Sequence, residues 1–201
     1  MISIYKPNKA NTGVAFTFQI GEGGRGKDKE YALYMHAIQQ YSWDAEKRVG
    51  SFSENKKDPN KTLTLKFNET ECGSIISAIE NRFEYHTFHS HDSNKTSIKL
   101  VPWDKKTKLS KLNPNTKKFE EEWVSIPAFG LSVSRNGNQN FKLPLEPGEC
   151  QCIVELIKLL LQKIYIARLE KIENYKRQKM QNTSVTAEDL GINESQEEAP
   201  F

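Results

Sequence analysis

Three stretches of the chain carry residue types that could do chemistry. Gly21-Glu-Gly-Gly-Arg-Gly-Lys27 fits the first seven positions of the loop that cradles phosphates in nucleotide hydrolases. The eighth position of that loop must be Ser or Thr to hold magnesium, and here it is Asp28, whose carboxylate would repel phosphate. No apolar strand ending in Asp follows to supply the second metal-binding motif, so the stretch reads as a glycine-rich hairpin. His86, His89 and His91 are the second candidate. On a strand, His89 and His91 share a face, but no nearby Cys, Asp or Glu completes a tetrahedral set, and a structural or stacking role is expected rather than a metal. The cysteines are the third. Cys72 and Cys150 fall on apolar helix faces, all three are expected to lie on core faces, and Cys150-Gln-Cys152 has no partner pair to make a zinc site. With no G-x-S-x-G motif and no carboxylate pair that stands out, neither an enzyme nor a cofactor is expected.

Binding is better supported than catalysis. Several aromatics stand beside bases: Tyr5 with Lys6, Trp43 with Lys47 and Arg48, Trp103 with Lys105 and Lys106. Stacking of unpaired bases on such rings, with phosphates met by Lys and Arg, is how single strands are held without sequence preference. Phe16, Phe18, Phe67, Phe83, Phe129 and Phe141 fall on apolar strand faces and are expected in the core, which leaves Tyr34, Trp43, Trp103 and Trp123 as exposed candidates. The expected nucleic-acid contacts are stacking by Tyr34, Trp43 and Trp103 and electrostatic capture by Lys47, Arg48, Lys66, Lys99, Arg135 and Lys142. These bases lie on polar strand faces or next to exposed rings. Residues 105–118 form a long basic loop without an acid, either a solvated excursion or a place where a nucleic-acid backbone is met.

Charge agrees with a polyanion partner. Of 26 acids, five (Glu188, Asp189, Glu194, Glu197, Glu198) lie in residues 181–201, which hold no Lys or Arg; residues 1–180 therefore carry 29 bases against 21 acids, a net +8. Composition is that of a soluble protein, 36% apolar and 27% charged, with no run near the roughly 18 apolar residues of a membrane span. No signal peptide opens the chain, so a cytoplasmic, reducing compartment is expected.

The elements that must position these residues follow from an internal echo. At an offset of 78, Leu65 lies over Leu143, Phe67 over Leu145, Glu71 over Glu149, Cys72 over Cys150 and Ile75 over Ile153. In both copies an alternating strand changes to helical spacing. Asn68 or Thr70 can cap the first helix, Pro147 suits the first turn of the second, and Glu71 and Glu149 sit where the helix dipole favours a carboxylate. The first copy reads as strands at 13–20, 31–40, 46–52 and 63–67 and then a helix, with Tyr41-Ser-Trp43-Asp a turn or bulge. The second reads as strands at 83–89, 97–103, 123–134 and 139–145, with a hairpin at Asn136-Gly-Asn138. Its helix runs on to about Met180 with an apolar stripe of Ile157, Leu160, Leu161, Ile164, Ile172 and Tyr175, whose far end is expected to pack on another subunit. The expected fold is α+β: a duplicated ββββα unit with two antiparallel four-stranded sheets, one domain over residues 1–180 with repeats at about 10–80 and 83–180. A flexible acidic tail, 181–201, follows.

Tyr41-Ser-Trp43-Asp-Ala-Glu-Lys47-Arg48 followed by Phe67-Asn-Glu-Thr-Glu-Cys-Gly-Ser-Ile-Ile76 resembles the Whirly family, which has a tyrosine-aspartate-tryptophan turn, bases, a strand and a threonine-glutamate-x-glycine helix start. The likeness continues through Phe83–His86, Phe129–Ser134 and Phe141–Ile153, spanning about residues 10–165. Ser42 replaces the family's aspartate, and its lysine-glycine-lysine assembly motif has no counterpart on a strand, which puts higher-order assembly in doubt. The resemblance implies two four-stranded sheets with a helix after each, single-stranded DNA bound across sheet edges, and homo-oligomers, dimer or tetramer, built through the helices. The end of the chain, Asn193 to Phe201, looks like the acidic tip of bacterial and phage single-strand-binding proteins. That likeness implies docking of replication or repair proteins on Glu197, Glu198, Pro200 and Phe201. A transcription regulator or RNA-binding protein of the same fold, and an interaction scaffold, stand as alternatives.

Overall fold

The computed structural model describes residues 1–23 and 30–189, with side chains as far as Met180. Gly24 to Lys27 of the expected glycine-rich hairpin, and the expected docking tip with Glu197, Glu198, Pro200 and Phe201, lie outside the described residues.

Two four-stranded antiparallel sheets, each followed by a helix, make up the body, as the duplicated α+β plan requires. Sheet 1 has the order β1 (Ile2–Lys6), β2 (Val14–Gly23), β3 (Glu30–Gln39), β6 (Thr62–Phe67) and leads into α1 (Glu69–Asn81). Sheet 2 has the order β7 (Tyr85–His91), β8 (Asn94–Leu112), β9 (Phe119–Arg135), β10 (Gln139–Leu145) and leads into α2 (Pro147–Asp189). A separate two-stranded hairpin, β4 (Ser42–Asp44) with β5 (Val49–Ser51), interrupts the first copy. Two units are distinguished, Met1–Leu161 and a second that begins at Gln162.

Alternation decides which side chains are buried. Phe16, Phe18, Leu33, Met35, Leu65 and Phe67 from sheet 1 are buried, as are Ile98, Leu131, Val133, Phe141, Leu143 and Leu145 from sheet 2. The rings of Phe16 and Phe141, one from each sheet, meet edge to face at 6.5 Å. A small cavity of about 30 Å³ is lined by Phe18, Leu33, Ile75, Ile98, Leu131 and Ile157 among others, so both sheets and both helices share one core. Cys72 and Cys150 are buried in it. Burial, with Glu71 and Glu69 nearby, pushes the Cys72 thiol up to about 12, and burial beside Glu149 pushes Cys150 up to about 11.

The echo is a repeated cap. Asn68 caps α1, its side chain accepting from Glu71 N at 2.9 Å, while Glu71 Oε2 accepts from Asn68 N at 3.0 Å. At the offset of 78, Glu149 Oε2 accepts from Glu146 N at 2.8 Å. In each copy the second carboxylate oxygen binds the first strand of the other sheet. Glu71 Oε1 takes His89 Nε2 at 2.6 Å and Thr87 Oγ1 at 3.1 Å on β7, and Glu149 Oε1 takes Lys6 Nζ at 2.6 Å on β1.

Several expectations are corrected. The strand expected at 46–52 is only Val49–Ser51 and belongs to the small hairpin, because Arg48 is in the left-handed conformation (φ 54) and breaks the extended run. The fourth strand of sheet 1 is instead β1, whose Ile4 is buried against it. Phe83 is exposed rather than core: Arg82 ends α1 with φ 55, and the strand starts only at Tyr85. Cys152 is exposed. The basic loop expected at 105–118 is mostly strand, since Lys105–Leu112 pairs residue for residue with Phe119–Ile126. The expected hairpin after β2, by contrast, is present, since β2 turns back into antiparallel β3 with Gly23 opposite Glu30. Ile157 and Leu160 of the expected stripe are buried, Ile172 and Tyr175 are exposed, and α2 continues past Met180 to Asp189.

Each cap glutamate closes a helix end and ties it to a strand of the opposite sheet. Glu71→Ala and Glu149→Ala are therefore each expected to cost about 1–3 kcal/mol, read as a fall in the urea midpoint at unchanged slope. A surface glutamate such as Glu84 serves as control, with an expected change within about 0.5 kcal/mol.

Candidate nucleic-acid interface

Sheet 2 turns one face to the core, and its period of two sends the other residues outward in rows. One row crosses all four strands: His86 opposite Lys99, Lys99 opposite Ser132, Ser132 opposite Lys142. Beside it on one flank runs Phe88, Ser97, Ser134 and Asn140, and on the other Val101, Gly130 and Pro144, with Trp103 beyond. Rows two residues apart are separated by roughly 7 Å. The basic row is thus flanked by two exposed rings, Phe88 (54% exposed) and Trp103 (42%). None of these outward residues is acidic, and Lys99 and Lys142 are exposed without an ion pair among the described residues. A shallow groove of about 450 Å³ lies here, walled by Trp103, Val101, Lys142 and Pro144 and floored by Gly130 and Ser132.

A second groove, of about 740 Å³, lies between β6 and the ends of β7, β8 and β9. Lys66, Arg135, Phe88, His89 and Asn94 line it, and Glu71 lies at its base in its pair with His89. The His89 ring is tilted against Phe67 at 5.6 Å, which with the Glu71 bond gives this histidine a structural role. Arg135 is half-buried, with its Nε shielded from solvent and without a hydrogen-bond partner among the described residues, and burial lowers the pKa of its guanidinium. His86 meets Ser97 Oγ at 3.1 Å on the outward face, and His91, which also lines the groove, lies 3.0 Å from Asp92.

The outward face of sheet 1 is mostly neutral. Tyr34 lies opposite Lys66, and a chain of hydrogen bonds runs from Gln19 through His36 to Thr64, at 3.0 and 2.9 Å. Tyr34 is half-buried, not exposed as expected, because its ring lies against Gly21, where a Cβ would come within 2.6 Å of its carbons.

The structure therefore brings Lys99, Trp103 and Lys142 together on one face, Lys66 and Arg135 together in the second groove, and Tyr34 beside Lys66. Trp43, Lys47 and Arg48 line neither groove. Trp43 is half-buried, not exposed as expected, because it sits opposite Gly50 in the β4–β5 hairpin, and Gln40 holds this hairpin against the 8–12 turn by bonds to Ser42 O and Asn8 O. Its Nε1 is shielded from solvent and has no hydrogen-bond partner among the described residues. Lys47 and Arg48 occupy the exposed turn of that hairpin, Lys47 beside Asp44 at 3.9 Å. His86, Phe88 and Gly130 are the contributors that the sequence reading left out. The signal was present in the alternation of Tyr85–His91, which sends His86 and Phe88 outward.

No protein-family model matches the chain, and no curated protein matches it. Among solved structures the chain is similar to the crystal structure of WHY1 from Arabidopsis thaliana. The TM-score is 0.52 at 15% identity, over 97% of this chain and 95% of that one. The fold is thus Whirly-like.

The two glycines under the proposed faces differ in tolerance. At Gly130 only Val101 O comes within 4 Å of an added Cβ, at 3.9 Å. Gly21→Ala is expected to cost about 1–3 kcal/mol by displacing the Tyr34 ring. Gly130→Ala is expected to be neutral or to stabilise by up to about 1 kcal/mol. Paired urea unfolding curves compare them.

Proposed function

We propose that this protein binds single-stranded DNA and catalyses no reaction. The observation that carries the reading is the outward face of sheet 2, where unpaired Lys99 and Lys142 stand in an acid-free row between Phe88 and Trp103. Cations that need not be released from carboxylates take phosphates, and flanking rings take bases on their open faces. Lys66 and Arg135 extend the contact through the second groove, and Tyr34 adds a ring beside Lys66. Trp43, Lys47 and Arg48 are left off this path. The Whirly-like fold and the family resemblance in the sequence support the same ligand.

The finer reading is a sequence-independent protein of DNA replication, recombination or repair. Its support is the likeness of Asn193–Phe201 to the acidic tips of single-strand-binding proteins, with Glu197, Glu198, Pro200 and Phe201 as the partner contact. A homo-oligomer is supported by the exposed Tyr165, Leu169, Ile172 and Met180, which recur at helical spacing along α2 and leave an apolar stripe open to another subunit.

Titration of tryptophan fluorescence with poly-dT, duplex DNA and RNA at several salt concentrations tests the ligand. Quenching by poly-dT, with log affinity falling steeply against log salt, is expected. Lys99→Ala and Lys142→Ala should each lower that slope by about 0.7, and Trp103→Ala should cost about 1–3 kcal/mol of binding. An equal response to RNA points to the RNA-binding alternative, and absence of any response leaves the scaffold.

Deletion of residues 193–201 tests the tip separately. It should tighten poly-dT binding at low salt by removing Glu194, Glu197 and Glu198, which compete with DNA for the basic body. Unchanged affinity at every salt concentration would remove the competing-tail idea.

A further inference from the structure

Gly130 is a glycine that the fold does not require. It lies in extended backbone, and among the described glycines only Gly137 has a positive φ. An added Cβ would find nothing nearer than Val101 O at 3.9 Å, whereas at Gly21 and Gly50 it would strike Tyr34 at 2.6 Å and Pro7 at 2.4 Å. Gly130 also stands inside β9 with a paired strand on either side, where strand propensity favours a branched side chain. A strand glycine that neither conformation nor packing calls for marks a place where another molecule comes close to the backbone.

Strand register gives the shape of that place. Val101, Gly130 and Pro144 form one row across β8, β9 and β10. Adjacent strands are about 4.8 Å apart, so Val101 and Pro144 stand roughly 9.6 Å from each other with only Gly130 between them. A flat ring touching both walls needs two carbon gaps of about 3.5–4.0 Å, roughly 7–8 Å in all, and two stacked rings need three. One ring therefore fits edge-on and a stacked pair does not. Trp103 closes one end of the gap, where the opposite residue Ala128 is buried, and the other end opens on Lys99, Ser132 and Lys142. The opening is one row long, about 7 Å, which suits a single ring better than an extended chain. Hydrocarbon walls select an apolar plate, and the two lysines, without an ion pair among the described residues, select negative charge on the same ligand. A nucleotide supplies both.

We propose that Gly130 floors a slot for a single unstacked nucleobase, held edge-on between Val101 and Pro144, while the neighbouring phosphates lie on Lys99 and Lys142. The Ser132 hydroxyl, which has no hydrogen bond among the described residues, meets the base edge as donor or acceptor, so every base is admitted. This rests on the single-stranded DNA reading and adds to it one position where a base is enclosed by aliphatic walls rather than stacked on an open ring.

The test uses the full chain with a dT oligonucleotide and with a strand of the same length in which abasic sites replace the bases. Gly130→Val fills the slot with a strand-favouring side chain, so the urea midpoint should hold or rise. Affinity for dT should fall at least about tenfold, as loss of one stacked base does, with the salt slope unchanged because the phosphate contacts remain. Gly130→Ala, whose Cβ fills only part of the slot, should lie between wild type and Gly130→Val. On the abasic strand, wild type and Gly130→Val should bind equally. Should the urea midpoint of Gly130→Val fall, the two strands are compared with Gly130→Ala instead. An equal loss on both strands overturns the proposal, since the glycine then admits the sugar-phosphate chain and not a base. Unchanged dT affinity in Gly130→Val, with Lys99→Ala and Lys142→Ala still weakened, overturns the slot and leaves the DNA-binding reading standing. A wild-type protein that does not bind dT overturns both.

Discussion

Two carboxylates hold this architecture together. Glu71 and Glu149 each complete a helix N-terminus with one oxygen and hold a strand of the opposite sheet with the other. A helix start carries unsatisfied N–H groups and a positive dipole end, so a carboxylate there is stabilised whatever the rest of the chain does. The second oxygen turns that local preference into a tertiary one. Because α1 follows sheet 1 but is tied to β7, and α2 follows sheet 2 but is tied to β1, neither copy closes on itself. The shared core, with Phe16 against Phe141, follows from the exchange.

Once both inner faces are committed to that core, a strand's period of two leaves no choice about the outer ones. Lys99, Lys142 and Trp103 face outward on sheet 2 because Ile98, Leu100 and Leu143 face inward. The outer faces nevertheless differ. Sheet 1 presents Thr17 bonded to Ser3, and Gln19, His36 and Thr64 bonded in a chain, whereas sheet 2 presents lysines without an ion pair among the described residues, beside open rings. The duplication built the frame twice and placed positive charge mainly on one side.

The copies also differ in where they carry extra chain. The first inserts the small β4–β5 hairpin between its third and fourth strands and buries part of Trp43 within it. The second lengthens its two central strands into a ribbon, where Glu120, Glu121 and Glu122 meet the lysines of the facing strand. Counting lysines along the chain therefore misleads. Within the densest run of Lys, Lys105, Lys108 and Lys111 are held by glutamates, whereas the isolated Lys99 and Lys142 have no ion pair among the described residues.

The sequence by itself determined the strand-to-helix echo, the first helix's start at a cap on Asn68 or Thr70, the second's first turn at Pro147, the buried Phe16, Phe18, Phe67, Phe129 and Phe141, and the outward placement of Lys99, Trp103 and Lys142. All of these rest on local periodicity or on bonds within a few residues, which spacing records. Pairing between distant segments was decided only by the tertiary structure. Lys105–Leu112 reads as a loop until Phe119–Ile126 lies beside it, and Phe83 reads as core until Arg82 turns left-handed and delays the strand. Trp43 reads as exposed until Gln40 anchors its hairpin. In each case the deciding partner was another part of the fold, and a partner's hydrogen bonds and charge leave no mark on the spacing of the residues they meet.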